Sequence, residues 1–72
     1  MKTRSDWTRE ICQAFRIQGG GEFSVIAVIP KIHALLVKRP GARVLEEIEQ
    51  EKPQMPFDEW LDKKLSATAT KQ

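Results

Sequence analysis

The chain has 72 residues, enough for one domain, and a domain of this size buries only about 60% of the surface its unfolded chain exposes. Its 12 Lys and Arg against 10 Asp and Glu leave a net charge of +2, a weak basis for binding nucleic acid by bulk charge. A single cysteine, Cys12, and a single histidine, His33, exclude an internal disulfide framework and a zinc cluster.

A single core of this size supplies about 3–5 kcal/mol of net stability, so each large apolar residue is structural before it is functional. Charge is unevenly placed. Residues 1–43 carry +5 and residues 44–72 carry −3, a polarity that can steer the molecule toward a surface of opposite sign. The opening MKTRSDWTRE lacks the apolar h-region of a signal peptide. The apolar run Phe23 to Val37 is interrupted by Pro30, Lys31 and His33 and falls short of the roughly 20 residues that span a bilayer. These features predict a soluble cytoplasmic protein without a membrane partner.

In chain order, Trp7, Ile11, Ala14 and Phe15 recur at i, i+4, i+7 and i+8 and predict a helix over residues 6–17. Thr3 or Ser5 can cap it. Thr3 with Asp6 approximates a capping box, and Asp6 and Glu10 suit the positive end of the helix dipole. Gly19, Gly20 and Gly21 end the helix. Glu22 to Ile29 is rich in β-branched residues and Phe, which favours a short buried strand. If residues 15–18 are extended, the triglycine closes a hairpin instead. Periodicity leaves residues 15–28 open between helix and hairpin.

Pro30 suits the first turn of a new helix, where its missing N–H costs nothing. That helix places Ile29, Ile32, His33 and Leu36 on one face and ends at Pro40-Gly41. A further helix fits Ala42 to Lys52, with Val44, Leu45 and Ile48 inward and Glu46, Glu47, Glu49 and Glu51 mostly outward. Pro53 and Pro56 bracket a stiff connector. Phe57, Trp60, Leu61 and Leu65 then recur at i, i+3, i+4 and i+8, with acidic residues in the first turn and Lys63 and Lys64 in the last. The tail SATATKQ has no apolar anchor and reads as disordered. The expected architecture is therefore mainly α: one small domain over residues 1–65, of three to four short helices, with room for one short strand or hairpin around Gly19–Gly21, followed by a disordered tail over 66–72.

No pattern carries catalytic chemistry. The helices flanking Arg39-Pro40-Gly41-Ala42 superficially match a helix-turn-helix, but four glutamates on the second would be repelled by phosphate. The triglycine is followed by Glu22 and Phe23 rather than by Gly-Lys-Ser/Thr, so it reads as a turn and no nucleotide cofactor is expected. Cys12 with His33 lacks an orienting third group, and both read as packed side chains. The glutamates of residues 46–51 read as a solvated helix face. Neither an enzyme nor a small-molecule substrate is expected, nor any metal or cofactor.

What remains is binding. Trp and Arg are enriched at interface hot spots, and the expected contact residues are Lys2, Arg4, Trp7 and Arg9, followed by Lys38, Arg39 and Arg43 around the second turn. The single compact module, the charged start MKTRSDWTRE, the missing catalytic set and the polar tail SATATKQ resemble the very small regulators encoded by bacteriophages that bind host RNA polymerase. The resemblance is one of type, and it implies action by occupancy on a larger protein, with RNA polymerase the favoured partner. The alternative is direct nucleic-acid binding by the basic N-terminal half, with Lys2, Arg4, Arg9 and Arg16 reaching phosphates. Self-association is a third class, because the apolar segment can exceed what 72 residues cover.

Overall fold

The computed structural model describes residues 2–18 and 22–69, the side chains of 68 and 69 excepted. Four helices follow one another: α1 (Arg4–Ile17), α2 (Val25–Lys38), α3 (Gly41–Glu51) and α4 (Phe57–Ala69). No strand occurs among the described residues. The first helix starts where the capping box places it: the Asp6 N–H donates to Thr3 Oγ1 at 3.2 Å and the Thr3 N–H donates to Asp6 Oδ2 at 3.0 Å. Two of the otherwise orphaned first-turn donors are thereby satisfied. The inward face of α1 is Ile11, Cys12 and Phe15 with Thr8, whose hydroxyl donates to the Arg4 carbonyl at 2.8 Å.

The strand and hairpin alternatives are not realised. Phe15 to Ile17 belong to α1, and Val25 to Ile29 form the first turns of α2. The triglycine itself lies outside the described residues. Three inward positions, Val28, Ile32 and Leu35, lie on one helical face, and burying that face outweighs the β preference of the Val and Ile residues. Pro30 is therefore inside the helix rather than at its start. It lies on the solvent side, where water can take the carbonyl that its missing N–H leaves without a partner. The helix stops at Lys38 because Arg39 precedes Pro40 and adopts φ −138°, ψ 145°, the extended conformation that a following proline favours.

The core forms where α1, α2, α3 and α4 meet. Phe15, Phe57, Trp60, Leu61, Ile11, Ile32, Leu35 and Ile48 are fully buried. Phe15 stacks on Phe57 with centroids 4.3 Å apart, Phe23 meets Phe57 edge-on at 4.6 Å, and Trp60 lies 5.6 Å from Phe15. Such pairs add about 0.5–1.5 kcal/mol each beyond the area they bury. Packing is chiefly α2 on α4 and α1 on α3. The fourth helix runs to Ala69, so four residues of the segment expected as tail are helical; residues 70–72 lie outside the described residues.

Gly41 opens α3 at a close approach. A Cβ there would lie 2.2 Å from Cδ2 of Trp7, so the indole of α1 rests directly on the α3 backbone. Lys2 Nζ is 4.4 Å from the centroid of a Trp7 ring.

Further along α3, Glu47 gathers three cations. It pairs with Arg39, with Arg43 at 3.6 Å and with Lys64 at 3.2 Å. Lys64 also pairs with Glu51, whose Oε1 accepts the Trp60 indole N–H at 3.2 Å. Burial pushes the Glu51 carboxyl up, but the hydrogen bonds from Lys64 and Trp60, with the Lys64 charge, outweigh it and hold the group below its usual 4.5. The two hydrogen bonds from Thr3 likewise lower Asp6.

Two predictions test this packing. Gly41→Ala should destabilise the fold by about 1–3 kcal/mol, read from urea midpoints, and Trp7→Ala in the same chain should relieve part of that loss. The second concerns pH. A carboxyl whose folded pKa is depressed stabilises the fold above its unfolded value, and that contribution is lost as pH falls through the folded value. Glu51→Gln should therefore lower stability at pH 7 by about 1 kcal/mol or less, and the difference from wild type should close as thermal melts are taken down below the usual carboxylate range.

Candidate functional interface on helices α1 and α2

The second helix holds no acidic residue and only Lys31, His33 and Lys38 as polar side chains able to carry charge. Its inward face packs into the core. The opposite face is also apolar: Ile26 is 82% exposed and Val37 74% exposed, with Pro30 and Ala34 exposed between them. A soluble surface helix ordinarily places charge on that side. A contiguous exposed apolar patch of this kind is the usual mark of an interaction surface.

Beside that face a cleft of about 430 Å³ runs between α1 and α2. Cys12 and Thr8 line it from α1, and Val25, Ile29 and His33, one helical turn apart, line it from α2. Ser5, Arg9, Gln13 and Arg16 line it as well, all four exposed residues of α1. No carboxylate among the described residues contributes to the lining. Among the described residues neither Arg9 nor Arg16 forms an ion pair, although the Arg9 charge does act on the Asp6 carboxylate outside the cleft lining.

The residues expected to contact a partner do not form one surface. Lys2, Arg4, Trp7 and Arg39 come together: Arg4, Trp7 and Arg39 line a second, shallower groove of about 400 Å³ with Leu36, Pro40, Gly41 and Ala42, and Lys2 sits over Trp7. Within that group Lys2 pairs with Glu10 at 2.6 Å, and Trp7 is half-buried against Gly41. Arg39 and Arg43 are engaged with Glu47, so much of their charge is neutralised within the fold. Lys38 is exposed at the end of α2. Arg9 alone of the seven reaches the α1–α2 cleft.

Sequence reasoning missed Ile26, Val37 and Val25 as exposed residues and the cleft that Ile29 lines, and it named Arg16 with Arg9 only for the nucleic-acid alternative. The signal was present: the 14 residues of α2 are apolar at almost every register, whereas four short helices can cover only one side of it.

Cys12 and His33 do line the same cleft. Burial raises the Cys12 thiol above its usual range, which favours the neutral thiol at pH 7, whereas an activated nucleophile needs the thiolate. Among the described residues no group of three His, Cys, Asp or Glu side chains is placed to hold a metal ion, and no helix is long and apolar enough to cross a membrane.

No protein-family model, no curated protein and no solved structure matches this chain.

Proposed function

We propose that this protein is a non-enzymatic regulator that acts by binding a larger protein, with the uncovered apolar face of α2 as the contact surface. The observation that carries the reading is the pair Ile26 and Val37, two large aliphatic side chains left in water on a helix without a single acidic residue. Leaving a side chain of this size exposed forgoes about 1.5–3 kcal/mol of burial. A small domain with little stability to spare has a reason to keep such residues outside when a partner covers them. Bacterial RNA polymerase is the favoured partner, on the resemblance of type to small phage-encoded regulators, and a cytoplasmic setting follows from that partner. Occupancy of a site on the enzyme would be the mechanism, with no bond made or broken by this chain.

The second reading, direct nucleic-acid binding, rests on Arg4, Arg9 and Arg16, which are exposed on α1 without an ion pair among the described residues. It differs in salt response. Phosphate binding releases counterions, so log affinity falls steeply and linearly with log salt, whereas an interface with an apolar centre resists moderate salt.

One experiment separates the two. The wild-type chain and the Ile26→Glu/Val37→Glu double variant are immobilised and exposed to bacterial lysate, with and without nuclease, and the bound proteins are identified by mass spectrometry. RNA polymerase should be retained by wild type after nuclease and reduced about tenfold or more by the double variant, whose thermal unfolding should match wild type because both positions are exposed. Equal retention by the variant, or loss of every partner on nuclease treatment, overturns the reading; the second result favours nucleic acid.

A further inference from the structure

The α1–α2 cleft has a chemistry more specific than the bare apolar face beside it. Its apolar side is Val25 and Ile29 with Cys12, while Arg9 and Arg16 bring two positive charges from α1 that no carboxylate lining the cleft among the described residues answers. Arg9 and Arg16 are seven residues apart on one helix, two turns, which is about 10.5 Å along the axis. Val25, Ile29 and His33 repeat every four residues along the opposite wall. Both walls are helices, so the cleft presents its contacts at helical spacing.

We propose that this cleft receives an acidic amphipathic helix of the partner, with apolar side chains spaced i, i+3 or i+4, and i+7 against Val25 and Ile29, and two carboxylates one heptad apart paired with Arg9 and Arg16. Charge complementarity selects this occupant. A neutral or basic helix would leave both guanidiniums unanswered or repelled at the cleft, and like-charge juxtaposition at an interface is strongly disfavoured. Arginine suits the role because its planar fork binds a carboxylate through two parallel N–H donors. Gln13 lies between the two arginines in sequence and lines the same cleft, supplying a neutral donor and acceptor between the charged contacts. An apolar stripe laid in a groove with flanking charges is a recurrent mode of peptide recognition. The proposal rests on the reading that the protein acts by binding another protein, and it names the chemistry of the segment bound.

The test selects ligands without presupposing a partner. A display library of 16-residue random peptides is panned against the full chain, and enriched peptides are measured by fluorescence anisotropy against wild type and against Arg9→Glu/Arg16→Glu, with circular dichroism confirming that the variant is folded. Enriched peptides should be net acidic, with apolar residues at helical spacing, and should bind the charge-reversed variant about tenfold more weakly or worse. Exchanging their acidic residues for lysine should restore binding to the variant. Amide shifts on wild type should centre on Cys12, Val25, Ile29 and His33. Neutral or basic winners, acidic winners indifferent to the reversal, shifts centred elsewhere, or no enrichment at all overturns the proposal, as does sedimentation showing a second copy of this chain seated in the cleft. The two readings fail separately: retention of RNA polymerase that depends on Ile26 and Val37, alongside a negative panning result, leaves protein binding standing and removes only the acidic helix.

Discussion

The structure is organised by an excess of apolar surface on one helix. From Val25 to Lys38 the chain is apolar at almost every position, and a helix of that composition is ordinarily enclosed on all sides. Among the described residues α4 and α1 are the chief elements packed on it, and they cover the side bearing Val28, Ile32 and Leu35. The exposure of the other side does not come from a loose fold. The accessible surface is 4642 Å² for an 8.3 kDa chain, close to the roughly 4600 Å² that size scaling gives for a folded monomer. The exposed aliphatic residues are what remains after the chain has packed as well as its length allows.

Electrostatics sharpen where a partner can bind. Many of the charges pair with one another within the fold: Arg39 and Arg43 on Glu47, Lys64 on Glu47 and Glu51, and Lys31 on Asp62 at 3.0 Å. These pairs tie α2 and its following turn to α3 and α4, and they balance much of the charge that the sequence offers. On α1, Arg4, Arg9 and Arg16 form no ion pair among the described residues, and Arg9 and Arg16 border the cleft. The apolar α2 face and the unanswered positive charge of α1 are therefore neighbours, joined through Val25, Ile29 and His33.

Much of the fold was legible from residues alone, for local reasons. The Thr3–Asp6 capping box, the α3 glutamate helix and the Phe57, Trp60, Leu61, Leu65 spacing depend on neighbours within two turns, and each is realised within a few residues of its expected bounds. The start of α2 was not legible, because Val and Ile favour strands in isolation and Pro30 resembles a helix opener; the helix is decided by a tertiary surface that buries Val28, Ile32 and Leu35 together. The contact of Trp7 with Gly41 joins residues 34 positions apart and leaves no local trace. The seven expected contact residues were chosen by charge and type, and charge alone could not reveal that Arg39 is held by Glu47 or that a cleft against α2 runs along Arg9 and Arg16. Those facts exist only once the helices are placed.

The central claim is that α2 is covered on one side only in the free protein. The direct measurement is solvent paramagnetic relaxation on Ile and Val methyl-labelled protein, using a soluble gadolinium chelate at concentrations where sedimentation shows a monomer. Strong broadening of the Ile17, Ile26 and Val37 methyls, with Ile11, Val28, Ile32, Val44 and Ile48 spared, is the expected pattern. Protection of Ile26 and Val37 equal to that of Ile32 in the monomer would contradict it, because the face assigned to a partner would then already be buried.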